Sequence, residues 1–348
     1  MATKTELINS PSLESLHTLT LTPDERDELR ALAATVIGDP YSDFEAFYDS
    51  VQDARSGVPE RLSRALKDFR DRNRAGAILV RGLPLGDHVP TTPTEPFAKH
   101  PILTLRTEVF LVLLATQVAE PFSFCEWDAG HMVHNKYPIK SHREVQFGSN
   151  AVEFLVHTET PFREFSPDYI ALLCVRGDPT GQAQTRLCDV GAVIESLSDE
   201  EREILKQPLF AFETDNPAIQ LRGKSYTAPM PIILDRDGEV VFEYVHDLCA
   251  ITDEGEAVLT KLKNKVANTV ADIFLDTGEL IIIDNSHMVH GRSAYEPRYD
   301  GTDRWLQRLL LTSRLYDKRA ASEGRFVSDK KLEHYTTAYR NVLQGLNP

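Results

Sequence analysis

From about residue 117 onward the sequence is a succession of short apolar runs separated by turns, and this pattern limits the fold more than any other feature. The clearest runs are residues 153–159 (EFLVHTE), 169–176 (YIALLCVR), 279–284 (ELIIID) and 304–314 (RWLQRLLLTSR). Runs of this length, bounded by glycine, proline and aspartate, are typical of β-strands. We therefore predict that this larger part of the chain is mainly β.

Helical signals frame the predicted strands. Helices are expected to begin at Thr22 and at Ser198, because each is followed three residues later by a glutamate at capping-box spacing. A longer helical pattern covers residues 253–274. Nothing repeats at a fixed period, and no low-complexity tract divides the chain. We predict a single domain over residues 1–348 with a loose segment at 1–15. Its core is expected to be a double-stranded β-helix, or jelly-roll, barrel flanked by α-helices.

Charge and composition indicate which kinds of molecule the protein can bind. The formal net charge is −15, which argues against nucleic acids and anionic membranes because both need a basic surface. A hydrophobic share of 41% is enough for a core, but the apolar stretches are far too short to cross a bilayer. The four cysteines form no CxxC pair, and the N-terminal region lacks a signal peptide's apolar core. We expect reduced thiols, a cytoplasmic location and a small-molecule ligand.

Two histidine-containing segments are candidates for a metal site. In His157-Thr158-Glu159 the imidazole and the carboxylate are two residues apart, so an extended chain directs both to one side. With 11 histidines in the chain, this motif alone is a weak signal. The second segment offers His287 and His290, which an extended chain would point to opposite faces, so that only one can join the pair. The alternative is that these histidines only form hydrogen bonds at the surface.

Two arginines on one predicted strand suggest an anion site. Arg304 and Arg308 share a strand face with Leu306. Burying a guanidinium is costly unless it meets an anion, and its planar fork suits a carboxylate. If this face is buried, the two arginines predict two bound carboxylates. The alternative is an exposed strand with ordinary surface arginines.

Two histidines and one carboxylate can form the facial triad of non-haem iron(II) oxygenases, which leaves positions for a 2-oxo acid and dioxygen. An arginine beyond the metal could then hold the far carboxylate of 2-oxoglutarate. Zinc-dependent hydrolysis could use the same three ligands, but it leaves the paired arginines unexplained.

Three motifs in this chain resemble those of the clavaminate synthase-like 2-oxoglutarate oxygenases, the TauD/TfdA type. They are His157-Thr158-Glu159, His290-Gly291-Arg292 and an arginine, Arg304, fourteen residues after His290. Within that group the run HGRSAYEPRYDGTDRWLQR is very similar to the amino-acid β-hydroxylases that act on asparagine, arginine or lysine. The resemblance spans most of the chain and is strongest over residues 284–308.

The resemblance implies an iron(II)- and 2-oxoglutarate-dependent dioxygenase of antibiotic biosynthesis, with O2 as the second co-substrate. His157, Glu159 and His290 would hold the iron, and Arg304 and Thr185 would bind the distal carboxylate of 2-oxoglutarate. The implied reaction hydroxylates a side-chain carbon, expected to be Cβ, of a polar or basic L-amino acid and yields succinate and CO2. Alternatives are oxidative cyclisation or desaturation, and a jelly-roll binding protein without catalysis.

The same resemblance implies the contacts to the amino acid, which is either free or tethered to a carrier. Arg308 would hold its α-carboxylate, Glu126 its α-amino group and Asp247 its side chain. Further polar contacts are implied at Gln146, Ser149 and Asn150. The chain departs from the relatives after Glu159, where it has Thr-Pro-Phe-Arg in place of a short run that ends in histidine.

Overall fold

Most strands belong to two sheets. The structure, a computed structural model, describes residues 15–71, 76–86, 89–95, 106–125, 127–143, 151–163, 165–213, 219–221, 224–236, 238–314 and 324–327. The larger sheet consists of β1 (Leu16–Thr20), β2 (Ala77–Arg81), β3 (Glu120–Phe124), β4 (His134–Lys136), β6 (Tyr169–Arg176), β15 (Leu280–Asp284), β17 (Trp305–Thr312) and β18 (Phe326–Val327). Its strands follow the order β1-β2-β15-β6-β17-β3-β18, and β4 also pairs with β17.

The second sheet is smaller and has the order β14-β7-β16-β5. Its strands are β5 (Phe154–His157), β7 (Thr185–Asp189), β14 (Ala271–Ile273) and β16 (Met288–Arg292). The remaining strands of the described residues pair two by two. They are β8 (Phe210–Phe212) with β13 (Leu248–Ala250), β9 (Ile219–Leu221) with β10 (Lys224–Tyr226), and β11 (Ile233–Arg236) with β12 (Glu239–Phe242).

Helices surround the sheets. The α-helices are α1 (Pro23–Thr35), α2 (Phe44–Ala54), α3 (Glu60–Arg70), α4 (Thr107–Ala115), α5 (Val190–Glu195), α6 (Asp199–Leu205) and α7 (Asp253–Thr269). Short 3-10 turns cover Arg55–Gly57, Asp128–Gly130 and Lys140–His142. The capping boxes predicted at Thr22 and Ser198 are both formed, at the starts of α1 and α6. In the described parts of the chain, no helix has the length and apolarity that a membrane crossing requires.

The two sheets pack face to face. Alternate side chains of β15 point toward the smaller sheet and toward the helices on the other side. Ile281 and Ile283 belong to the apolar cluster between the sheets, which also contains Leu187 of the smaller sheet. Leu280 and Ile282 point the other way, into the cluster formed with α1 to α4. Helices α5, α6 and α7 cover the outer face of the smaller sheet. This layered arrangement confirms the predicted sheet-and-helix fold.

One predicted helix extends too far at its C-terminal end. The helical pattern over residues 253–274 is a helix only to Thr269, and Ala271–Ile273 is strand β14. Val270 has an extended conformation, and the segment after it pairs antiparallel with β7, Ile273 lying opposite Thr185. Pairing with the edge of the smaller sheet buries Ile273 and outweighs the helical periodicity of the preceding residues. The strand predicted at 169–176 is confirmed, that at 279–284 is one residue shorter, and those at 153–159 and 304–314 are each three residues shorter.

Candidate active site between the two sheets

Strand register brings two of the candidate metal-binding histidines together. In the antiparallel pairing of β16 with β5, His290 lies directly opposite His157, and their ring centroids are 4.6 Å apart. The two strands approach closely at Gly291, where an added Cβ would lie 2.5 Å from the carbonyl oxygen of Phe154. A glycine beside His290 is therefore needed for this approach.

Glu159 completes a cluster of three possible ligands. One ligand atom from each of His157, Glu159 and His290 can be chosen so that all lie within 4.8 Å of one another, and the three residues are buried. Asn285 holds the backbone of Glu159: its Oδ1 accepts from the Glu159 N–H at 2.7 Å, and its Nδ2 donates to the Glu159 carbonyl at 3.2 Å. Asn285 was not among the predicted site residues, although it lies within the segment 284–308.

We expect replacement of Asn285 by alanine to weaken iron(II) binding about tenfold to a hundredfold, the usual cost of losing a residue that orients a metal ligand. The backbone groups of Glu159 would lose their partners, so the melting temperature should also fall. Anaerobic iron(II) titration and thermal unfolding would measure both effects. Ser286→Ala is the matched control, since this neighbouring hydroxyl donates to Asp284 and not to Glu159. Equal iron affinity in the two variants would contradict the role of Asn285.

His157 and Glu159 are in the protonation states that a metal ion requires. His157 Nδ1 lies 2.8 Å from the carbonyl oxygen of Leu155, which can only accept, so Nδ1 carries the proton and Nε2 keeps its lone pair. Burial, the largest cause, and the neighbouring His290 lower the pKa of His157 to about 4. Burial opposes ionisation of Glu159, but the charge of Arg308, with a smaller contribution from His290, holds the pKa of Glu159 well below the usual range. Neutral imidazole and a carboxylate are the forms that bind divalent metals.

The same shift predicts how the stability of the metal-free protein depends on pH. Because the pKa of His157 falls from 6.5 to about 4 on folding, the unfolded chain binds more protons between these two values. The free energy of unfolding should therefore decrease as the pH falls from about 6.5 toward 4, by an amount on the order of a few kcal/mol. Urea unfolding at a series of pH values would measure this. In His157→Gln the part of the slope due to this residue should disappear, and an unchanged slope would contradict the assignment.

The donor set fits a ferrous ion. Two imidazole nitrogens and one carboxylate oxygen that converge within 4.8 Å form the arrangement that non-haem iron(II) oxygenases use. His290 Nε2 lies 3.6 Å from Glu159 Oε2, while its Nδ1 is buried and has no hydrogen-bond partner among the described residues. An ion bound by Nε2 and the carboxylate would offset the burial of both groups.

Arg304 is a buried cation that contacts Thr185, the residue of β7 that lies opposite Arg292, two residues after His290. Its side chain is only 3% exposed, its Nη2 donates to Thr185 Oγ1 at 2.6 Å, and its Nε has no partner among the residues that the structure describes. Within that part of the chain no ion pair joins Arg304 to a carboxylate. A second buried guanidinium, Arg292, lies close enough for the two charges to repel each other. Burial lowers the pKa of Arg304 and that of Arg292, the latter to about 10. This pair of cations suits an anionic ligand.

Arg308 contacts the cluster directly, through Glu159. Its Nη1 donates to both carboxylate oxygens of Glu159, at 2.9 and 2.8 Å, and its Nη2 is 2.9 Å from His134 Nδ1. The guanidinium carbon is 5.7 Å from the ring centroid of Trp127. The interpretation of Arg304 and Arg308 as ordinary surface arginines is therefore wrong, because Arg308 is only 13% exposed and Arg304 is buried. The predicted contact of Arg308 with a substrate carboxylate stays a prediction.

Of the other residues predicted to contact the substrate, the structure describes only Asp247. Asp247 is exposed and lies two residues after Val245, whose backbone bridges to His157. Four others lie outside the described residues: Glu126, Gln146, Ser149 and Asn150. His287, the competing histidine, is turned away from the cluster, with its Nδ1 2.9 Å from Ser286 Oγ and its ring against Phe242.

The chain is similar to known proteins over most of its length. Residues 58–310 match the taurine catabolism dioxygenase TauD, TfdA family. The chain is 34% identical over 294 residues to an L-asparagine oxygenase of Streptomyces coelicolor, covering 83% of this chain and 86% of the relative. It is 29% identical to an enduracididine beta-hydroxylase of Streptomyces hygroscopicus, covering 76% of this chain and 84% of the relative.

A solved structure of asparagine oxygenase in complex with Fe(II), 2S,3S-3-hydroxyasparagine and succinate superposes with a TM-score of 0.78 at 30% identity. The match covers 90% of this chain and 99% of that one. These findings confirm the resemblance drawn from the sequence motifs. The chain belongs to the taurine catabolism dioxygenase TauD, TfdA family.

Proposed function

We propose that this protein is an iron(II)- and 2-oxoglutarate-dependent oxygenase that hydroxylates a side-chain carbon, expected to be Cβ, of a polar or basic L-amino acid. The observation that carries the proposal is the buried cluster of His157, Glu159 and His290 beside Arg304, a buried guanidinium with no paired carboxylate in the described part of the chain. A metal site next to an anion site is what joint binding of iron(II) and a 2-oxo dicarboxylate requires.

The protein's own residues bind, orient and shield the reactants. His157, Glu159 and His290 would hold the iron, and Arg304 with the Thr185 hydroxyl would bind the distal carboxylate of 2-oxoglutarate. When bound, iron(II) with 2-oxoglutarate and dioxygen supplies the oxidising chemistry that replaces C–H by C–OH and releases succinate and CO2. Burial of the cluster between two sheets keeps bulk water from the reacting groups.

The substrate would be held by its amino-acid end, so that one side-chain carbon is presented to the metal. We assign its α-carboxylate to Arg308, its α-ammonium group to Glu126 and its side chain to Asp247. Gln146, Ser149 and Asn150 are proposed to make further polar contacts. The net charge of −15 supports a zwitterionic or cationic substrate. The names of the two relatives, an asparagine oxygenase and an enduracididine hydroxylase, support an amino acid as the substrate class.

A screen of free L-amino acids for stimulated succinate release tests this proposal. We expect at least one polar or basic amino acid to stimulate release and to gain one oxygen atom, as read by mass spectrometry. Loss of two hydrogen atoms instead would identify desaturation or oxidative cyclisation. If no free amino acid responds but a carrier-tethered one does, the substrate is the tethered form. Absence of the visible band of the iron(II)–2-oxoglutarate complex in anaerobic titration would contradict the proposal and favour a binding protein without catalysis.

We further propose that the two facing sheets form a distorted jelly-roll and that residues 1–348 are one domain. The register of β5, β7 and β16 and the apolar cluster shared by the two sheets support this arrangement. A cytoplasmic location is proposed because no disulfide joins the described cysteines, as expected in a reducing compartment.

A further inference from the structure

His134 is a wholly buried histidine that none of the predictions above uses. It lies on β4, directly opposite Arg308 of β17 in the antiparallel pairing of the two strands. Its Nδ1 is 2.9 Å from Nη2 and 3.3 Å from Nε of the arginine. The edge of the guanidinium therefore meets the imidazole, while its Nη1 donates to Glu159.

Hydrogen bonds on the far side of the ring determine which nitrogen carries the proton. Ser123 Oγ donates its single proton to the carbonyl oxygen of His131 at 3.0 Å. The same oxygen lies 2.8 Å from His134 Nε2, so it must accept there, and Nε2 carries the hydrogen. Nδ1 is then a lone pair, which is the form that can accept from Arg308.

The acceptor offered to Arg308 is thus uncharged, and this matters for an anion-binding arginine. A carboxylate in the same place would orient the guanidinium equally well but would neutralise its charge. Glu159 already offsets part of the arginine's charge through Nη1. A second acid, Asp128, is 4.0 Å from Arg308 and pairs with Lys136 at 2.7 Å. Its Oδ2 also lies 3.4 Å from His134 Nδ1. A neutral imidazole orients the arginine without adding a further negative charge, so that the rest of its charge can act on a ligand.

We propose that His134, fixed by Ser123 with its proton on Nε2, is a positioning residue that aims Arg308 at the α-carboxylate of the amino-acid substrate while adding no negative charge of its own. This inference rests on the proposed function, in which Arg308 binds that carboxylate. It assigns a role to a chain of groups that runs from the His131 carbonyl through Ser123, His134 and Arg308 to the metal-ligand candidate Glu159.

Two variants of nearly equal shape test the inference. His134→Asn keeps a neutral acceptor near Nδ1, whereas His134→Asp puts a negative charge there. Dissociation constants for the amino acid identified by the screen, and for its α-carboxamide, are measured anaerobically from the change in the visible band of the iron(II)–2-oxoglutarate complex. We expect the Asn variant to bind the amino acid within about threefold of wild type, and the Asp variant to bind it about tenfold more weakly or worse.

The remaining measurements distinguish a loss of Arg308 positioning from a general defect in the binding site. Affinity for the carboxamide and for 2-oxoglutarate should be the same in both variants, because neither ligand is assigned to Arg308. Long-range nitrogen–proton NMR of the full chain loaded with Zn(II), a diamagnetic substitute, should show the His134 proton on Nε2. A proton on Nδ1, or equal losses for the amino acid and its carboxamide, would overturn the inference. Failure of the proposed function is seen separately, as a wild-type protein whose visible band responds to no amino acid.

Discussion

Replacing His290 by alanine is expected to lower amino-acid-dependent succinate release about a thousandfold or more, since several kcal/mol of metal-derived stabilisation of the transition state would be lost. His290 faces His157 across the β5–β16 pairing, and its Nε2 is 3.6 Å from Glu159 Oε2. Without it the site keeps one imidazole and one carboxylate, too few to hold iron(II) firmly. Bound iron after gel filtration and the anaerobic band with 2-oxoglutarate would both be measured.

The chain supplies a matched control three residues away. His287 is in the same segment, but its ring packs against Phe242 and its side chain is 38% exposed. His287→Ala should therefore retain iron and most of the activity. If His287→Ala loses activity while His290→Ala retains it, the assignment of the ligand is wrong. Comparable losses in both variants would point to a folding defect instead, which thermal unfolding would reveal.

The parts of this site that sequence could predict are those set by local geometry. His157 and Glu159 are two residues apart on an extended segment, so strand periodicity alone directs them to one side. The same periodicity puts Arg304 and Arg308 on one face, and in the structure Arg304 is buried and Arg308 is only 13% exposed. These positions follow from neighbouring residues alone, because side chains two residues apart on a strand point to the same side.

The parts that sequence could not predict depend on contacts between distant segments. Periodicity does not tell which residue of β5 lies opposite His290, because register is set by the packing of whole sheets. The roles of Asn285 and His134 have the same origin, since each acts on a residue that lies far away in the chain. The prediction of a helix to residue 274 was wrong for the same reason, because the last residues pair with β7 and form a strand.

Replacing Arg304 by leucine should not lower the stability of the free protein, but it should weaken the binding of 2-oxoglutarate. Arg304 is 3% exposed, and its pKa is lowered because burial disfavours the charged form. Because no carboxylate among the described residues pairs with it, its buried charge costs folding free energy, and an apolar side chain of similar size removes that cost. We therefore expect Arg304→Leu to leave the melting temperature of the protein without 2-oxoglutarate unchanged or higher. In wild type, added 2-oxoglutarate and metal should raise the melting temperature, and in the variant this increase should largely vanish.

The same variant should raise the KM for 2-oxoglutarate about a hundredfold or more, the usual effect of removing one partner from a buried charged pair. Arg304→Lys should fall between wild type and Arg304→Leu, because it keeps the charge but loses the planar fork. The control ligand is 2-oxopentanoate, which has the same carbon chain without the distal carboxylate. Its binding should be equally weak in wild type and in Arg304→Leu. If the substitution weakens both 2-oxo acids alike, Arg304 supports the pocket as a whole, and the carboxylate that offsets its buried charge must be sought elsewhere.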